Sequence, residues 1–141
     1  MAKFKVSLKA RLILEDRGRI LLLKQTKPNG GKYSLIGGTV ERSEYAAETL
    51  IRESYEEAGV ELTKNDLTLV HVLHKRYRKA HRIVLYFRAH HYQGKPRSKE
   101  QKKFENVQWH PLNDLPPKLT DTVRHVLSAY GRGRLYSEMK K

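Results

Sequence analysis

The chain has 141 residues, no cysteine, and 29 Lys and Arg residues against 15 Asp and Glu, which gives a formal net charge of +14. This length suits one domain, residues 1–141, which is large enough to bury a hydrophobic core without disulfides or structural metal ions. The lack of cysteine excludes disulfides, thiolate nucleophiles and Cys-ligated zinc, and it fits a reducing cytoplasm. Charges interrupt the apolar N-terminal residues, so strands are expected there rather than a signal peptide or a membrane span.

Basic residues are concentrated in the second half of the chain. Between His71 and Lys103 there are eleven Lys or Arg residues and a single acid, Glu100. Such a block favours polyanions such as nucleotides, other phosphates or nucleic acid. A solvated basic surface has the same composition, so charge alone leaves both interpretations open.

Strands dominate the first part of the chain. Residues 4–14 and 19–24 are rich in Val, Leu and Ile, and the intervening residues 16–18, Asp-Arg-Gly, predict a hairpin turn. Residues 28–31, Pro-Asn-Gly-Gly, predict a loop. Residues 33–36 predict a short strand that leads into two glycines.

The second half predicts more strands and a final helix. The strands are expected at residues 67–74, 82–91 and 104–109. A basic turn, residues 76–81, joins the first two. Thr120 or Asp121 is the predicted N-cap of the last helix, whose apolar residues recur at helical spacing, and Gly131 is predicted to end it.

Residues 37–60, GGTVERSEYAAETLIRESYEEAGV, hold six of the fifteen acids of this basic chain. Ser43 is a predicted N-cap, and Glu44 in a first turn would suit the helix dipole. Apolar residues recur at helical spacing through residues 44–58, and Gly59 is a natural terminator. An amphipathic helix is therefore predicted in the middle of the chain.

Three acids of this helix share one side of it. With each residue advancing about 100°, Glu53, Glu56 and Glu57 lie within an arc of roughly 100°, and Glu57 is at the edge of the apolar face. Glu57 follows Glu53 at i+4, a like-charge pair that slightly destabilises a helix. A solvated face and a site for a hard divalent cation both account for this cluster.

The whole string resembles the Nudix box, G-x5-E-x7-R-E-U-x-E-E-x-G-U, where U is aliphatic. All seven fixed positions match, namely Gly38, Glu44, Arg52, Glu53, Glu56, Glu57 and Gly59. Ser54 departs at one aliphatic position, which affects packing rather than chemistry. Similarity to the family extends to the strand before the box and to the segment before the last helix, so it covers most of the chain.

The resemblance implies an α+β Nudix fold, a three-layer α-β-α sandwich around a mixed β-sheet. It also implies a MutT-like hydrolase that uses Mg²⁺ or Mn²⁺. The implied metal ligands are Glu53, Glu56 and Glu57. In the family, the residues that match Glu44 and Arg52 help to brace the loop against the helix, and the resemblance implies that both belong with Glu53 to the catalytic residues.

The resemblance implies further site residues with less direct support. Gly37 and Gly38 would let the backbone approach the metal site and the substrate. Many members add a carboxylate from a later loop, and Glu100 is the expected general base or further metal ligand, unless it only pairs with Lys103. Glu105 is the alternative base.

Tyr77 is a candidate substrate contact because its spacing from the box resembles that of a tyrosine in dinucleoside polyphosphate hydrolases of the family. One aromatic residue in a turn is weak support for a substrate contact, because a tyrosine that is simply exposed on the surface would look the same in the sequence.

The expected function is metal-dependent hydrolysis of a nucleoside triphosphate or related nucleoside-diphosphate-linked compound, by water attack on phosphorus. Pyrophosphohydrolases of RNA 5′ ends or of dinucleoside polyphosphates are alternatives, the first favoured by the basic stretch. A non-catalytic nucleotide-binding module is disfavoured because the box carboxylates are all present. The expected partners are a nucleotide substrate and, in the first alternative, RNA, with no membrane.

Overall fold

The computed structural model describes residues 3–141. The two helices are α1 (Ala46–Ala58) and α2 (Asp121–Gly131). The strands, in chain order, are β1 (Lys5–Asp16), β2 (Arg19–Gln25), β3 (Tyr33–Ser34), β4 (Gly37–Thr39), β5 (Thr68–Arg76), β6 (Ala80–Ala89), β7 (Phe104–Pro111) and β8 (Tyr136–Lys140). Neither helix of the described residues has the length and apolar character needed to cross a membrane.

The strands form one mixed sheet with the order β3-β2-β1-β6-β5-β8, in which β4 pairs with β1 and β7 pairs with β2. The β1–β6 and β5–β8 pairs are parallel, and the remaining pairs are antiparallel. The pairing of β1 with β6 brings residues from opposite halves of the chain next to each other. This juxtaposition positions much of the cleft described below.

Two buried clusters lie on opposite faces of the sheet. Leu12 and Leu14 pack in the same cluster as Leu50 of α1, whereas Ile13 packs in the other with Val126 of α2. The division follows from strand geometry, because successive side chains point to opposite faces. One helix therefore covers each face, and the predicted α-β-α sandwich is confirmed.

Most predicted strands are present close to their expected bounds. The β1–β2 hairpin turns through Arg17 and Gly18, which have φ of 55° and 76°. Both values lie in the left-handed region that tight hairpins need. The predicted loop at residues 28–31 includes part of a short 3-10 turn, Lys27–Asn29.

Two helix boundaries were predicted incorrectly. Helix α1 begins at Ala46, with Tyr45 rather than Ser43 in the N-cap position, where the Tyr45 N–H donates to Glu48 Oε1 at 2.8 Å. Helix α2 does begin after Thr120, whose Oγ1 accepts from the Val123 N–H at 3.2 Å. Gly131, however, is the last residue of α2 rather than the residue that ends it.

Strand β8 was not predicted. It is an edge strand that pairs with β5 and with no other strand of residues 3–141, and it alternates exposed with half-buried residues. Its sequence, Tyr-Ser-Glu-Met-Lys, has little of the Val, Ile and Leu content that identified the other strands.

Candidate active site

Two glycines bring strand β4 against the acidic end of α1. Gly37 has φ of 153°, and a Cβ added there would lie 2.1 Å from the carbonyl oxygen of Ala10. A Cβ on Gly38 would lie 2.3 Å from Glu53 Oε2. The Gly37 N–H donates to Glu57 Oε1 at 3.0 Å. At Gly37 the obstacle is backbone, so only glycine permits this approach, whereas a side chain at position 38 would displace the Glu53 carboxylate.

Arg52 connects the loop before α1 to the acids of the helix. Its Nε and Nη2 donate to the two carboxylate oxygens of Glu44 at 2.7 and 3.0 Å. Its Nη1 donates to Glu53 Oε1 at 2.7 Å and to Glu56 Oε2 at 3.3 Å. The hydrogen bonds from Arg52 lower the pKa of Glu44 to about 2. Glu44 thus braces the loop instead of occupying the first helical turn as predicted.

Glu57 is buried deeper than its position at the edge of the apolar arc indicated. The residue is 1% exposed, and its Oε2 makes no hydrogen bond with any described residue. The nearest cation is Lys103, whose Nζ lies 3.5 Å from Oε2. Burial raises the pKa of Glu57 to about 7. Burial, and then a hydrogen bond with Glu56, also raise the pKa of Glu53.

The chemistry of this cluster fits a hard cation, although its side chains are not arranged around one. Within residues 3–141, no three Asp, Glu or His side chains form a ready metal-binding group. Arg52 engages Glu53 and Glu56, while the buried Glu57 Oε2 makes no hydrogen bond and has only the ammonium of Lys103, at 3.5 Å, as a charged neighbour within residues 3–141. A divalent ion that takes oxygen ligands would satisfy it.

The loop that carries Glu100 runs alongside the C-terminal end of α1. Its backbone donates from Lys99 to the Glu57 carbonyl at 3.0 Å. The Glu100 carboxylate pairs with no Lys or Arg of the described chain, because Lys103 is directed to Glu57. Glu105 is exposed on β7. Neither carboxylate lines the cleft described next, so the choice between them stays a prediction.

A cleft of about 500 Å³ opens beside the acidic cluster. Gly37, Gly38 and Glu53 line one part of it, and Thr120 and Thr122 at the start of α2 line another. Five cations also line the cleft, namely Lys9, Arg11, Lys75, Arg82 and Lys103. Glu53 is the one acid in the lining, so the cleft is suited to anions.

Sequence reasoning anticipated phosphate contacts among residues 75–103 without naming them, and it missed Lys9 and Arg11. These two residues alternate with apolar neighbours along β1, which places both on the α2 face of the sheet. Tyr77 does not line this cleft. Its ring centroid lies 5.5 Å from Lys75 Nζ and 5.2 Å from Arg82 Cζ, so it contacts two cations that do line it.

Comparison with known proteins assigns the chain to a family. Residues 6–130 match the NUDIX domain, and the chain belongs to that family. A MutT NUDIX hydrolase from Burkholderia pseudomallei has a similar structure, with a TM-score of 0.78, 31% identity, and coverage of 88% of this chain and 97% of that one. A MutT protein from Methanosarcina mazei has the same fold at 18% identity, with a TM-score of 0.77 over 94% and 97% of the two chains.

Curated relatives are longer than this chain. The NAD-capped RNA hydrolase NudC of Pseudomonas aeruginosa is 30% identical over 122 residues, which cover 84% of this chain and 42% of that protein. The corresponding protein of Pseudomonas putida GB-1 is 32% identical over 127 residues, covering 88% and 44%. The chain therefore spans less than half the length of these relatives.

Proposed function

We propose that this chain is a pyrophosphohydrolase that cleaves a nucleoside triphosphate or a related nucleoside-diphosphate-linked compound by attack of water on phosphorus. The observation that carries the proposal is the buried carboxylate of Glu57, which has an oxygen without a hydrogen bond and lies behind Glu53, the acid that lines a cationic cleft. Nudix hydrolases generally use divalent metal ions, and Mg²⁺ or Mn²⁺ is the proposed cofactor here.

Glu53, Glu56 and Glu57 would hold the metal, which supplies charge neutralisation at the phosphates and a more acidic water. Two of these carboxylates now contact Arg52, so they must turn from its guanidinium to take up an ion. Arg52 remains fixed by its paired hydrogen bonds to Glu44. Glu100 is the proposed general base, from the loop that lies against the end of α1.

An enzyme that acts on RNA 5′ ends is the second candidate. It is supported by the similarity of the chain to NAD-capped RNA hydrolases and by the cations that line the cleft. A dinucleoside polyphosphate is a further candidate substrate, whereas a non-catalytic binding module remains disfavoured because the box carboxylates are complete. In this function, residues 1–141 act as one Nudix domain in the cytoplasm.

A substrate panel assayed with Mg²⁺ tests this proposal. The panel contains nucleoside triphosphates, NADH, a dinucleoside polyphosphate and a 5′-capped RNA, and released phosphate or pyrophosphate is measured after each reaction. Hydrolysis of at least one substrate that stops when the metal is chelated is the expected result. Failure to cleave any of them, by a protein that is folded and binds metal, would contradict the proposal.

A further inference from the structure

Three cations at the far end of the cleft have no acidic partner in the described chain. Lys75, Arg82 and Lys9 line the cleft, yet no Asp or Glu of residues 3–141 lies within salt-bridge distance of them. Arg82 Nε donates to Ser7 Oγ at 3.3 Å, a neutral group. Lys103 lies 3.5 Å from Glu57, and Arg11 is opposite Gly37, whose N–H donates to Glu57. Lys9 and the β1 residue opposite Arg82 lie further along the strand, so we call Lys9, Lys75 and Arg82 the distal cations.

Lys75 is the member that demands an explanation. It is only 6% exposed, and its Nζ donates to the hydroxyl of Thr122 at 2.6 Å. A buried ammonium is costly unless it is paired, so such a residue is normally found beside a carboxylate. Its position in the cleft wall leaves a bound anion as the partner that would compensate the charge.

The distal cations are held together by the sheet. Lys75 and Arg82 are directly opposite each other in the β5–β6 pair, and Lys9 comes from the adjacent strand β1. The pKa of Lys9 is lowered by burial and then by the charges of Arg11, Arg82, Lys103 and Lys75. Bringing like charges this close is unfavourable without a ligand, which is typical of sites built for a multivalent anion.

Tyr77 and helix α2 support the same end of the cleft. The Tyr77 ring lies against both Lys75 and Arg82, which limits the positions that these side chains can occupy. Thr120, Thr122 and Val123 of the cleft wall belong to the N-terminal end of α2, where the helix dipole favours negative charge. Asp121 is exposed and does not line the cleft.

We infer that the distal cations bind a phosphate group of the substrate that is separate from the pyrophosphate being cleaved. This inference rests on the proposed function, because the acidic end of the same cleft would receive the scissile pyrophosphate. The additional phosphate is either a phosphomonoester of a small molecule or the first internucleotide phosphate of a capped RNA. Both sources present the same chemical group to the distal cations, namely a phosphate outside the anhydride bond that is cleaved.

Matched substrates test the inference. NADPH and NADH share the same pyrophosphate and differ by one phosphomonoester. An NAD-capped five-nucleotide RNA differs from NAD by added nucleotides with their internucleotide phosphates, and the variants described next separate the phosphate contribution from that of the nucleosides. We expect kcat/KM with Mg²⁺ to favour NADPH over NADH, or the capped RNA over NAD, by about tenfold or more, the size of one charge-assisted hydrogen bond. A preference in one arm identifies the source of the phosphate, and no preference in either arm overturns the inference.

Variants show whether the distal cations cause the preference. Lys75→Gln and Arg82→Gln should each bring the ratio to within about threefold of one, chiefly through KM. Lys64→Gln is the matched control, because Lys64 is an exposed cation outside the cleft and its loss changes net charge equally. If Lys64→Gln lowers the ratio as much as Lys75→Gln, overall charge is the cause and the inference is wrong. Arg82 is half-buried, so its variant remains informative if Lys75→Gln does not fold.

Binding without metal separates this inference from the proposed function. Calorimetric titration of NADPH and NADH in the presence of chelator involves no hydrolysis. A tighter Kd for NADPH that depends on Lys75 and Arg82 supports the distal site even if no substrate is cleaved. Equal Kd values for the two dinucleotides, together with equal Kd values for NAD and the capped RNA, contradict it even if hydrolysis is observed.

Discussion

The guanidinium of Arg52 on helix α1 lies within salt-bridge distance of four carboxylates, whereas Lys75, Arg82 and Lys9 at the far end of the cleft contact no carboxylate of residues 3–141. The acidic region borders the cleft through Glu53, and the two regions carry opposite charge. The acidic region is paired in part with the protein's own cations, Arg52 and Lys103. The basic region is left for a ligand to neutralise.

The two regions therefore differ in whether an existing ion pair must break before a ligand binds. A metal entering the acidic region must compete with Arg52 for Glu53 and Glu56, but it gains the unbonded oxygen of Glu57. An anion entering the basic region displaces no ion pair. We therefore expect metal affinity to depend strongly on Glu57, and anion affinity to depend on the distal cations acting together.

The largest expected effect tests the acidic region. Glu57→Gln keeps the side-chain size and removes the charge that would hold the ion, so turnover should fall on the order of 10³-fold or more. Steady-state assays with Mg²⁺ check this. Glu61→Gln, an exposed acid on the segment after α1, should stay near wild type. Full wild-type turnover with excess chelator would contradict a metal role for the cluster.

A smaller effect should identify the loop carboxylate. If Glu100 takes a proton from the attacking water, Glu100→Gln should lower kcat by about 10²-fold with little change in KM. Glu105→Gln, on the exposed side of β7, should change kcat much less. The reverse order would assign the base to Glu105. If neither variant is impaired, the catalytic carboxylate lies within the box, and Glu53 becomes the leading candidate.

The pH dependence of the free energy of unfolding tests the burial of Glu57 in the acidic region without any assay of activity. The pKa of Glu57 is about 7 in the folded protein against an ordinary 4.5, so between these values the folded state binds more protons than the unfolded state. Without metal, the free energy of unfolding should therefore fall as pH rises through this window, by about 1–3 kcal/mol. Denaturant unfolding at about pH 5 and pH 8 measures it.

Glu57→Gln is the matching control for this pH effect. The variant cannot titrate at this position and removes a like-charge pair with Glu53, so it should lose most of the slope and be at least as stable as wild type near pH 8. Metal should then raise the melting temperature of wild type more than that of the variant. An unchanged slope in the variant would show that another group titrates in this window.

Local patterns were sufficient to predict most of the fold and the acidic region. Segments rich in Val, Leu and Ile identified the long strands, and the spacing of Glu53, Glu56 and Glu57 placed them on one side of α1. The start of α1 was missed because Ser43 is a good capping residue by type, yet the chain first becomes helical at Ala46. Local preference did not decide the boundary, because Glu48 caps the Tyr45 N–H instead.

The basic region could not be predicted, for a different reason. Lys9, Lys75 and Arg82 come from three strands, and only the β1–β6 and β5–β6 pairings bring them together. No local spacing contains that information. The depth of Glu57 was likewise only partly predictable, since its angle placed it at the edge of the apolar face and the packing of β4 through Gly37 buried it.

The smallest expected effect concerns the one aliphatic box position that differs from the family pattern. Ser54 is fully buried in α1, and its Oγ has no hydrogen-bond partner among the described residues. A buried hydroxyl without a partner is unfavourable, and alanine is also the better helix former. Ser54→Ala should therefore stabilise the protein by about 0.5–1 kcal/mol, with kcat unchanged, because Ser54 lies outside the cleft. Denaturant unfolding at constant m-value measures the gain, and Ser128→Ala on α2, where the serine is exposed, is the control for helix propensity alone. If both variants gain equally, the Ser54 hydroxyl has a partner in solution, such as a bound water, and its burial is not a source of instability.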